Sequence, residues 1–199
     1  MQFVIVPGID NSDEQHWQSI WEAGLGSAAT RIAVASWTSP VLDDWVGAIE
    51  HAVRMARTPD VVLVAHSGGC WAVASWVANR GFDARGVFLV APPDQQGDLF
   101  RAALPSFTAV VPQPLELPGL SFTAVVPQPL ELPGLIVSSD NDPYCAPQVA
   151  EHVAADWGVP RIGVGQLGHI NSSSGIGRWD FGRALLTAFT AGLRVPRSW

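Results

Sequence analysis

The chain has 199 residues, with 48% hydrophobic and 15% charged content and a net charge of −7. This length fits one domain with a sizeable core, and the acidic balance excludes a nucleic-acid-binding surface, which needs a basic face. No apolar run approaches the roughly 20 residues that span a bilayer, and the N-terminus MQFVIVPG lacks the basic region of a signal peptide. We therefore expect a cytoplasmic protein that binds neither nucleic acid nor membrane.

Hydrophobic periodicity predicts the first elements of the chain. Residues 3–6 form a short apolar run that is typical of a strand. Ser12-x-x-Gln15 resembles a capping box, and the apolar residues that follow it at helical spacing predict a helix over residues 13–23. A second strand is predicted over residues 31–37, after a link rich in glycine and serine.

A serine-proline pair marks the second helix. Ser39 is placed as its N-cap and Pro40 as its first residue, and Thr58-Pro59 ends it. The remaining elements are predicted as strands over residues 61–65, 86–91, 136–139 and 161–164, and helices over residues 68–80, 98–103, 147–157 and 181–193. Strands that alternate with helices imply right-handed crossovers. The sequence therefore predicts an α/β fold, a three-layer α/β/α sandwich around a six-stranded, mainly parallel sheet.

One segment of the chain is duplicated. The sequence SFTAVVPQPLELPGL occurs twice without change, at residues 106–120 and 121–135. Two copies of this length are too few and too short to build a repeat architecture. At about 3.3 Å per residue, one copy already spans roughly 50 Å. We therefore expect a single domain over residues 1–199 with one copy looped out, at little cost in loop entropy.

The turn after the third predicted strand carries the main chemical signal. The apolar run that ends at Ala65 is followed by His66-Ser67-Gly68-Gly69 and then by a helix. A side chain at such a strand-to-helix turn is lifted clear of the sheet, and its neighbours must be small. Ser67 is therefore the candidate nucleophile. The side chain of His66 should leave the turn in another direction, which favours a structural or pocket-edge role.

A serine nucleophile needs an imidazole base and a carboxylate that orients it. The loop after the fifth strand supplies Asp140 and Asp142, and the loop after the sixth supplies His169. Both loops follow the carboxyl ends of strands, where the functional residues of parallel sheets gather. The order Ser…Asp…His is that of α/β-hydrolases. Position alone leaves both aspartates as candidates for the orienting acid.

The chain resembles a known family, the small, lidless serine hydrolases of the α/β-hydrolase superfamily related to retinoblastoma-binding protein nine. The likeness covers nearly the whole chain and is carried by Pro7-Gly8 with His16-Trp17, the turn HSGGC at residues 66–70, the block SSDNDPY at 138–144, and GHIN at 168–171. It implies Ser67 as nucleophile, Asp142 as acid and His169 as base. It also implies the strand order 2-1-3-4-5-6 without a cap domain, and only one copy of the duplicated segment.

Further site residues are predicted from their positions in this fold. The backbone N–H groups of Gly68, after the nucleophile, and of Ile9, after the first strand, are expected to form the oxyanion hole. His16 and Trp17 could line the substrate pocket, with core packing as the alternative for Trp17. Asn171 is placed beside the pocket, where it would fix the loop of His169 by hydrogen bonds.

These observations together predict a serine hydrolase. Its substrates would be small-molecule esters, thioesters or amides, cleaved through an acyl-enzyme on Ser67. No metal and no cofactor is implied, since Cys70 and Cys145 have no metal-ligand spacing and form no disulfide framework. Two alternatives stay open: a non-catalytic protein-binding module on a hydrolase scaffold, and an acyltransferase that uses the same three residues.

Overall fold

The computed structural model describes residues 1–80, 84–107 and 129–193. Within these ranges six strands alternate with helices. The strands are β1 (Gln2–Val6), β2 (Ala29–Arg31), β3 (Val61–His66), β4 (Gly86–Val90), β5 (Gly134–Ser138) and β6 (Arg161–Gly163). The helices are α1 (Trp17–Leu25), α2 (Leu42–Arg54), α3 (Gly68–Arg80), α4 (Asp98–Ala103), α5 (Pro147–Trp157) and α6 (Asp180–Gly192).

The six strands form one sheet in the order β2-β1-β3-β4-β5-β6, and each neighbouring pair is parallel. This confirms the predicted fold class and strand order. Every residue of β3 is buried, as expected for an apolar strand that is covered on both faces. Because the strands are parallel, the loops that follow their carboxyl ends meet at one edge of the sheet, and this arrangement positions the site.

Two separate cores lie on the two faces of the sheet. On one face, the larger core contains residues of α2, α3 and α5, including the buried rings of Trp45, Trp71 and Trp157. On the other face, residues of α1 and of the segment that leads into α6 form a cluster around Trp17 and Trp179. The three layers therefore come from helices on either side of one sheet, and no helix in the described part of the chain is long and apolar enough to cross a membrane.

The first helix starts later than the capping-box pattern predicts. It begins at Trp17, and the Nδ1 atom of the N-cap residue His16 accepts the backbone N–H of Gln18 at 3.1 Å. The Ser12 hydroxyl instead donates to the side chain of Gln18 at 2.7 Å. The prediction was wrong because the Ser12 hydroxyl binds a side chain of the following helix, and because the preceding Asn11 adopts a positive φ of 65°, which does not lead into a helix.

Two other boundaries differ from the sequence prediction. The second strand covers only Ala29–Arg31, so it starts earlier and is shorter than predicted. Further along, the carbonyl of Trp37 accepts the backbone N–H of Asp10, so this stretch pairs with the loop after β1 and not with a strand. The second helix begins at Leu42, with Val41 and not Ser39 at its N-cap. The backbone N–H of Ser39 donates to the Ser36 hydroxyl at 3.0 Å, within a local turn that delays the helix.

The duplicated segment lies largely in residues 108–128, outside the described residues, so the prediction that one copy is looped out stays a prediction. Both flanks are anchored in the core. Phe107 is fully buried against the ring of Trp45. On the other side, Leu130 is buried and its backbone N–H donates to the carbonyl of Trp157 at 2.8 Å.

Candidate active site

The turn between β3 and α3 places one serine at the edge of the sheet. Ser67 has a φ of 53°, in the left-handed region that a residue with a side chain adopts only under constraint. Its backbone N–H donates to the carbonyl of Val90 on β4 at 3.0 Å, and its carbonyl accepts the N–H of Cys70 at 2.9 Å. These bonds fix the turn, so the hydroxyl projects from the sheet edge.

The small residues around this turn are required by close backbone approach. A Cβ atom on Gly69 would lie 2.3 Å from the carbonyl oxygen of Pro7 and 2.6 Å from that of Val6. A Cβ atom on Gly8 would lie 2.8 Å from the Cβ of Ser67. The loop after β1 therefore reaches the serine only because both positions are glycine.

Three side chains from distant loops meet at this edge. The Nε2 atom of His169 lies 2.8 Å from Ser67 Oγ, and its Nδ1 atom lies 2.9 and 3.0 Å from the two carboxylate oxygens of Asp142. A carboxylate only accepts, so Nδ1 carries the proton and Nε2 is left to accept from the serine hydroxyl. Ser67, His169 and Asp142 form one continuous hydrogen-bonded row.

The structure separates the two aspartates that position alone left open. The side chain of Asp142 is 2% exposed and contacts the imidazole. Asp142 also accepts the backbone N–H of Tyr144 at 2.9 Å through Oδ1, which fixes the carboxylate in its loop. Asp140 is exposed, and its backbone N–H is bound to the carbonyl of Gly165. The imidazole of His169 is therefore oriented by Asp142.

Two ring N–H groups hold the loop that carries His169. The Nε2 atom of His66 donates to the backbone carbonyl of His169 at 2.9 Å, since a carbonyl can only accept. The indole Nε1 of Trp17 donates to the carbonyl of Ile170 at 2.8 Å. Burial, together with the neighbouring His169 and His16, lowers the pKa of His66 well below its usual value. His66 is thus a neutral donor. We call the hydrogen bonds from His66 to the His169 carbonyl and from Trp17 to the Ile170 carbonyl the ring clamp.

Side-chain oxygens hold the same loop from its other side. The backbone N–H of Leu167 donates to the Ser139 hydroxyl, and that of Gly168 donates to Asn141 Oδ1, both at 2.8 Å. Held from both sides, Ile170 adopts a φ of 49°, which a β-branched residue rarely does. His169 therefore lies on a loop whose backbone is fixed at several points.

Of the three residues predicted for the pocket, His16 and Asn171 line the cavity above the serine and Trp17 does not. Trp17 is fully buried, and its role is in the core and the ring clamp. Burial lowers the pKa of His16 to about 4, with Arg31 and His169 acting in the same direction.

Asn171 shapes the loop that follows His169. Its Oδ1 atom accepts hydrogen bonds from the hydroxyls of Ser173 and Ser174.

A cavity of about 670 Å³ opens over Ser67. The residue Ile9 lines it, next to the glycine that approaches the serine. Gly68 is the first residue of α3, where backbone N–H groups have no partner within the helix. Both positions predicted for the oxyanion hole thus lie beside the serine.

Cys145 also lines the cavity. Burial raises the pKa of its thiol to about 12, so the thiol stays protonated.

Comparisons with known proteins give one family and related folds. The serine hydrolase family matches residues 3–188. A protein described as a YdeN-like hydrolase from Pectobacterium atrosepticum is 31% identical, with a TM-score of 0.80 over 96% of this chain and 91% of that one. The ydeN gene product of Bacillus subtilis is 19% identical, with a TM-score of 0.72 over 96% and 98% of the two chains. The carboxylesterase CesB of Bacillus subtilis is 10% identical, with a TM-score of 0.63 over 96% and 84%. No curated protein matches the sequence significantly.

Proposed function

Because the chain belongs to the serine hydrolase family, as its sequence motifs predicted, we propose that it cleaves small esters, thioesters or amides through an acyl-enzyme on Ser67. The observation that carries this proposal is the hydrogen-bonded row of Ser67, His169 and Asp142. A hydroxyl bound at 2.8 Å to an imidazole that a buried carboxylate orients is the arrangement that activates serine.

The proposed reaction has two halves. In the first, Ser67 Oγ attacks the acyl carbon while its proton passes to His169 Nε2. The tetrahedral intermediate carries its negative charge on the former carbonyl oxygen, to which the N–H groups of Gly68 and Ile9 donate. His169 then gives the proton to the leaving oxygen, sulfur or nitrogen as the bond to the acyl carbon breaks. In the second half, water repeats these steps and releases the acid and free Ser67.

The orienting role of Asp142 follows from the same geometry. When His169 takes the serine proton, it becomes an imidazolium beside a carboxylate whose side chain is 2% exposed. A charge pair shielded from water in this way stabilises the transient cation, and Asp142 itself stays ionised. The carboxylate also keeps Nδ1 protonated, so that Nε2 faces the serine in the form that accepts a proton.

Active-site labelling tests the nucleophile. A fluorophosphonate probe, which reacts with activated serine hydroxyls, is expected to label the native protein and not Ser67→Ala. Equal labelling of both proteins would refute the assignment of Ser67. No labelling of a correctly folded native protein would favour the alternative of a binding module on a hydrolase scaffold.

The two aspartates provide a matched pair for the acid. With p-nitrophenyl butyrate as substrate, Asp142→Asn is expected to lower kcat by about a thousandfold to ten-thousandfold, because the amide stabilises the wrong imidazole tautomer. Asp140→Asn removes the same charge from the same loop and is expected to change kcat by no more than about twofold, as exposed substitutions usually do. Similar losses in both variants would contradict the role of Asp142.

A further inference from the structure

The cavity above Ser67 has two chemically different walls. The first, which we call the apolar wall, is built from the segment around α4 and from the loop that leads into α5. Its side chains are mainly apolar: Pro93, Leu99, Phe100, Ala103, Leu104, Pro143, Tyr144, Cys145, Ala146 and Val149. The two segments are joined by a hydrogen bond from the N–H of Asp94 to the carbonyl of Tyr144 at 2.9 Å.

The opposite side, which we call the polar wall, comes from the loop after β1 and the loop that follows His169. Its lining residues are mainly hydrogen-bonding: Asp10, Asn11, Asp13, His16, Asn171 and Ser172. The Ser172 hydroxyl donates to the carboxylate of Asp13 at 2.8 Å and joins the two loops. Each wall is therefore a unit of two joined segments, with the serine and the imidazole between them.

The reaction chemistry decides which wall each half of a substrate faces. His169 must deliver its proton to the leaving atom, and the chain that follows His169 continues directly into the polar wall. Leu104 belongs to the apolar wall and packs beside the oxyanion position, because its Cδ1 atom would lie 2.9 Å from a Cβ on Gly68. This arrangement favours an acyl chain along the apolar wall and a leaving group against the polar wall.

The charges around the cavity are of one sign. Four aspartates line it, two on each wall: Asp10, Asp13, Asp94 and Asp98. No arginine lines it within the described residues, and the sequence contains no lysine. The nearest arginine to the polar wall, Arg31, lies behind it and donates to Asn11 Oδ1 at 2.8 Å. The carboxylates that line the cavity repel anions and attract cations over about 8 Å at physiological ionic strength. An anionic leaving group therefore meets carboxylates and no lining cationic side chain on the polar wall.

We propose, building on the hydrolase function, that the substrate joins an apolar acyl chain to an uncharged or cationic leaving group that carries hydroxyl or amine groups. The cavity volume of about 670 Å³ lies in the range that holds drug-sized ligands, so it accepts acyl chains longer than acetyl. Carboxylate- and phosphate-bearing leaving groups, including anionic thiol carriers, are poor substrates of this site.

Three hexanoate esters that differ in the leaving group test the charge selection. They are hexanoylcholine, monohexanoylglycerol and the hexanoyl ester of glycolate, which are cationic, neutral and anionic. Proton release at constant pH and low ionic strength is expected to give a kcat/KM at least about tenfold lower for the anionic ester, with a smaller difference in 0.5 M salt because salt screens exposed charges. Equal or faster cleavage of the anionic ester would overturn the proposal.

Parallel turnover of p-nitrophenyl butyrate separates the two levels of inference. If that ester is cleaved in a Ser67-dependent manner while the three hexanoates are cleaved equally, only the charge selection fails. If neither p-nitrophenyl butyrate nor any hexanoate is cleaved, the hydrolase function itself fails.

Variants of the polar wall attribute the selection to named residues. Asp10→Asn combined with Asp13→Asn removes two charges, and the amide oxygen introduced at position 13 can still accept the Ser172 hydroxyl. We expect the ratio of anionic to neutral ester cleavage to rise at least about threefold, since nearby charges act within the screening distance. Asp43→Asn combined with Asp156→Asn, at exposed positions of α2 and α5 that do not line the cavity, is the matched control and should leave the ratio unchanged. An unchanged ratio in the double variant would refute the role of the polar wall.

Leu104 provides the corresponding test of the apolar wall. Leu104→Ala enlarges the space beside Gly68, so the preferred chain in a p-nitrophenyl ester series from acetate to decanoate is expected to become longer. Leu104→Val makes a smaller change of the same kind and replaces it if the alanine variant unfolds. An unchanged chain-length profile in a folded variant would mean that the acyl chain lies elsewhere.

Discussion

Through the ring clamp, His66 helps to hold the imidazole of His169 beside Ser67. Its Nε2 atom donates to the carbonyl of His169 across 103 positions of sequence, within a buried contact of 2.9 Å. His66→Leu removes this donor but fills similar space. His66→Gln restores an amide N–H with a comparable reach. We expect the leucine variant to lose activity and the glutamine variant to recover much of it.

The size of the loss can be worked out from the contact. A buried carbonyl that loses its donor is destabilised by about 1–3 kcal/mol. The loop of His169 relieves this destabilisation by leaving the position in which Nε2 faces Ser67. At about 1.4 kcal/mol per factor of ten, kcat would then fall about 5- to 150-fold. His66 lines the cavity itself, but the apolar and polar walls are unchanged, so KM should change by less than about threefold.

Steady-state kinetics with p-nitrophenyl butyrate measure kcat and KM for the native protein and both variants. The rate of fluorophosphonate labelling reports separately on activation of the serine. Urea unfolding identifies any variant that is simply unstable. Two outcomes would refute the reasoning. The first is a folded His66→Leu variant that keeps more than about half of the native kcat. The second is an equal loss of kcat in His66→Leu and His66→Gln, since a hydrogen-bonding role predicts that the amide restores activity.

Two further predictions concern the support of the site. Gly69→Ala should lower the free energy of unfolding by at least about 3 kcal/mol, because its Cβ would lie 2.3 Å from the backbone oxygen of Pro7. Gly68→Ala meets only the side chain of Leu104 and should lower it by about 1 kcal/mol. Equal urea midpoints of the two variants would contradict this prediction. Burial lowers the pKa of His16 to about 4 in the folded protein, against 6.5 in the unfolded chain. As the pH falls from 6.5 to 4, the unfolded state therefore binds the proton first, and the free energy of unfolding falls by about 3 kcal/mol. His16→Asn keeps an N-cap acceptor and should flatten this pH dependence of the urea midpoint; an unchanged slope would exclude His16 as its source.

The sequence predicted the central strand well, because that element depends only on an unbroken run of apolar residues. The run from Val61 to Ala65 is apolar at every position, and β3 is buried at every position. Parallel pairing then brings the carboxyl ends of the strands to one edge. For this reason Ser67, Asp142 and His169, which follow three different strands, could be expected together before any coordinates were considered.

Helix starts were predicted less well, because a side chain with the spacing of a cap can bind another side chain instead of the helix backbone. Ser12 has the spacing of a capping residue, but its hydroxyl binds the side chain of Gln18. Gln18 in turn donates from Nε2 to the carbonyls of Val6 and Val64 on two strands. A buried amide that links the helix to the sheet outweighs the local capping pattern, and the sequence contains no separate sign of it.

The ring clamp was beyond prediction for a different reason. Each of its hydrogen bonds joins residues more than 100 positions apart. Histidine before the nucleophile indicates only that the position tolerates a ring, and a tryptophan in a helix is usually core. The sequence carried a weak indication that Asn141 supports the site, since its amide lies between two aspartates and can both donate and accept hydrogen bonds. Its actual partner, the N–H of Gly168, depends on how two loops meet.

The left-handed backbone of Ser67 also bears on how this lineage can change over time. A non-glycine residue in that conformation costs about 1–2 kcal/mol that glycine would not. A glycine at position 67 would thus relax the turn and abolish the hydroxyl in a single step. The fold therefore gives up some stability to hold a hydroxyl at this turn.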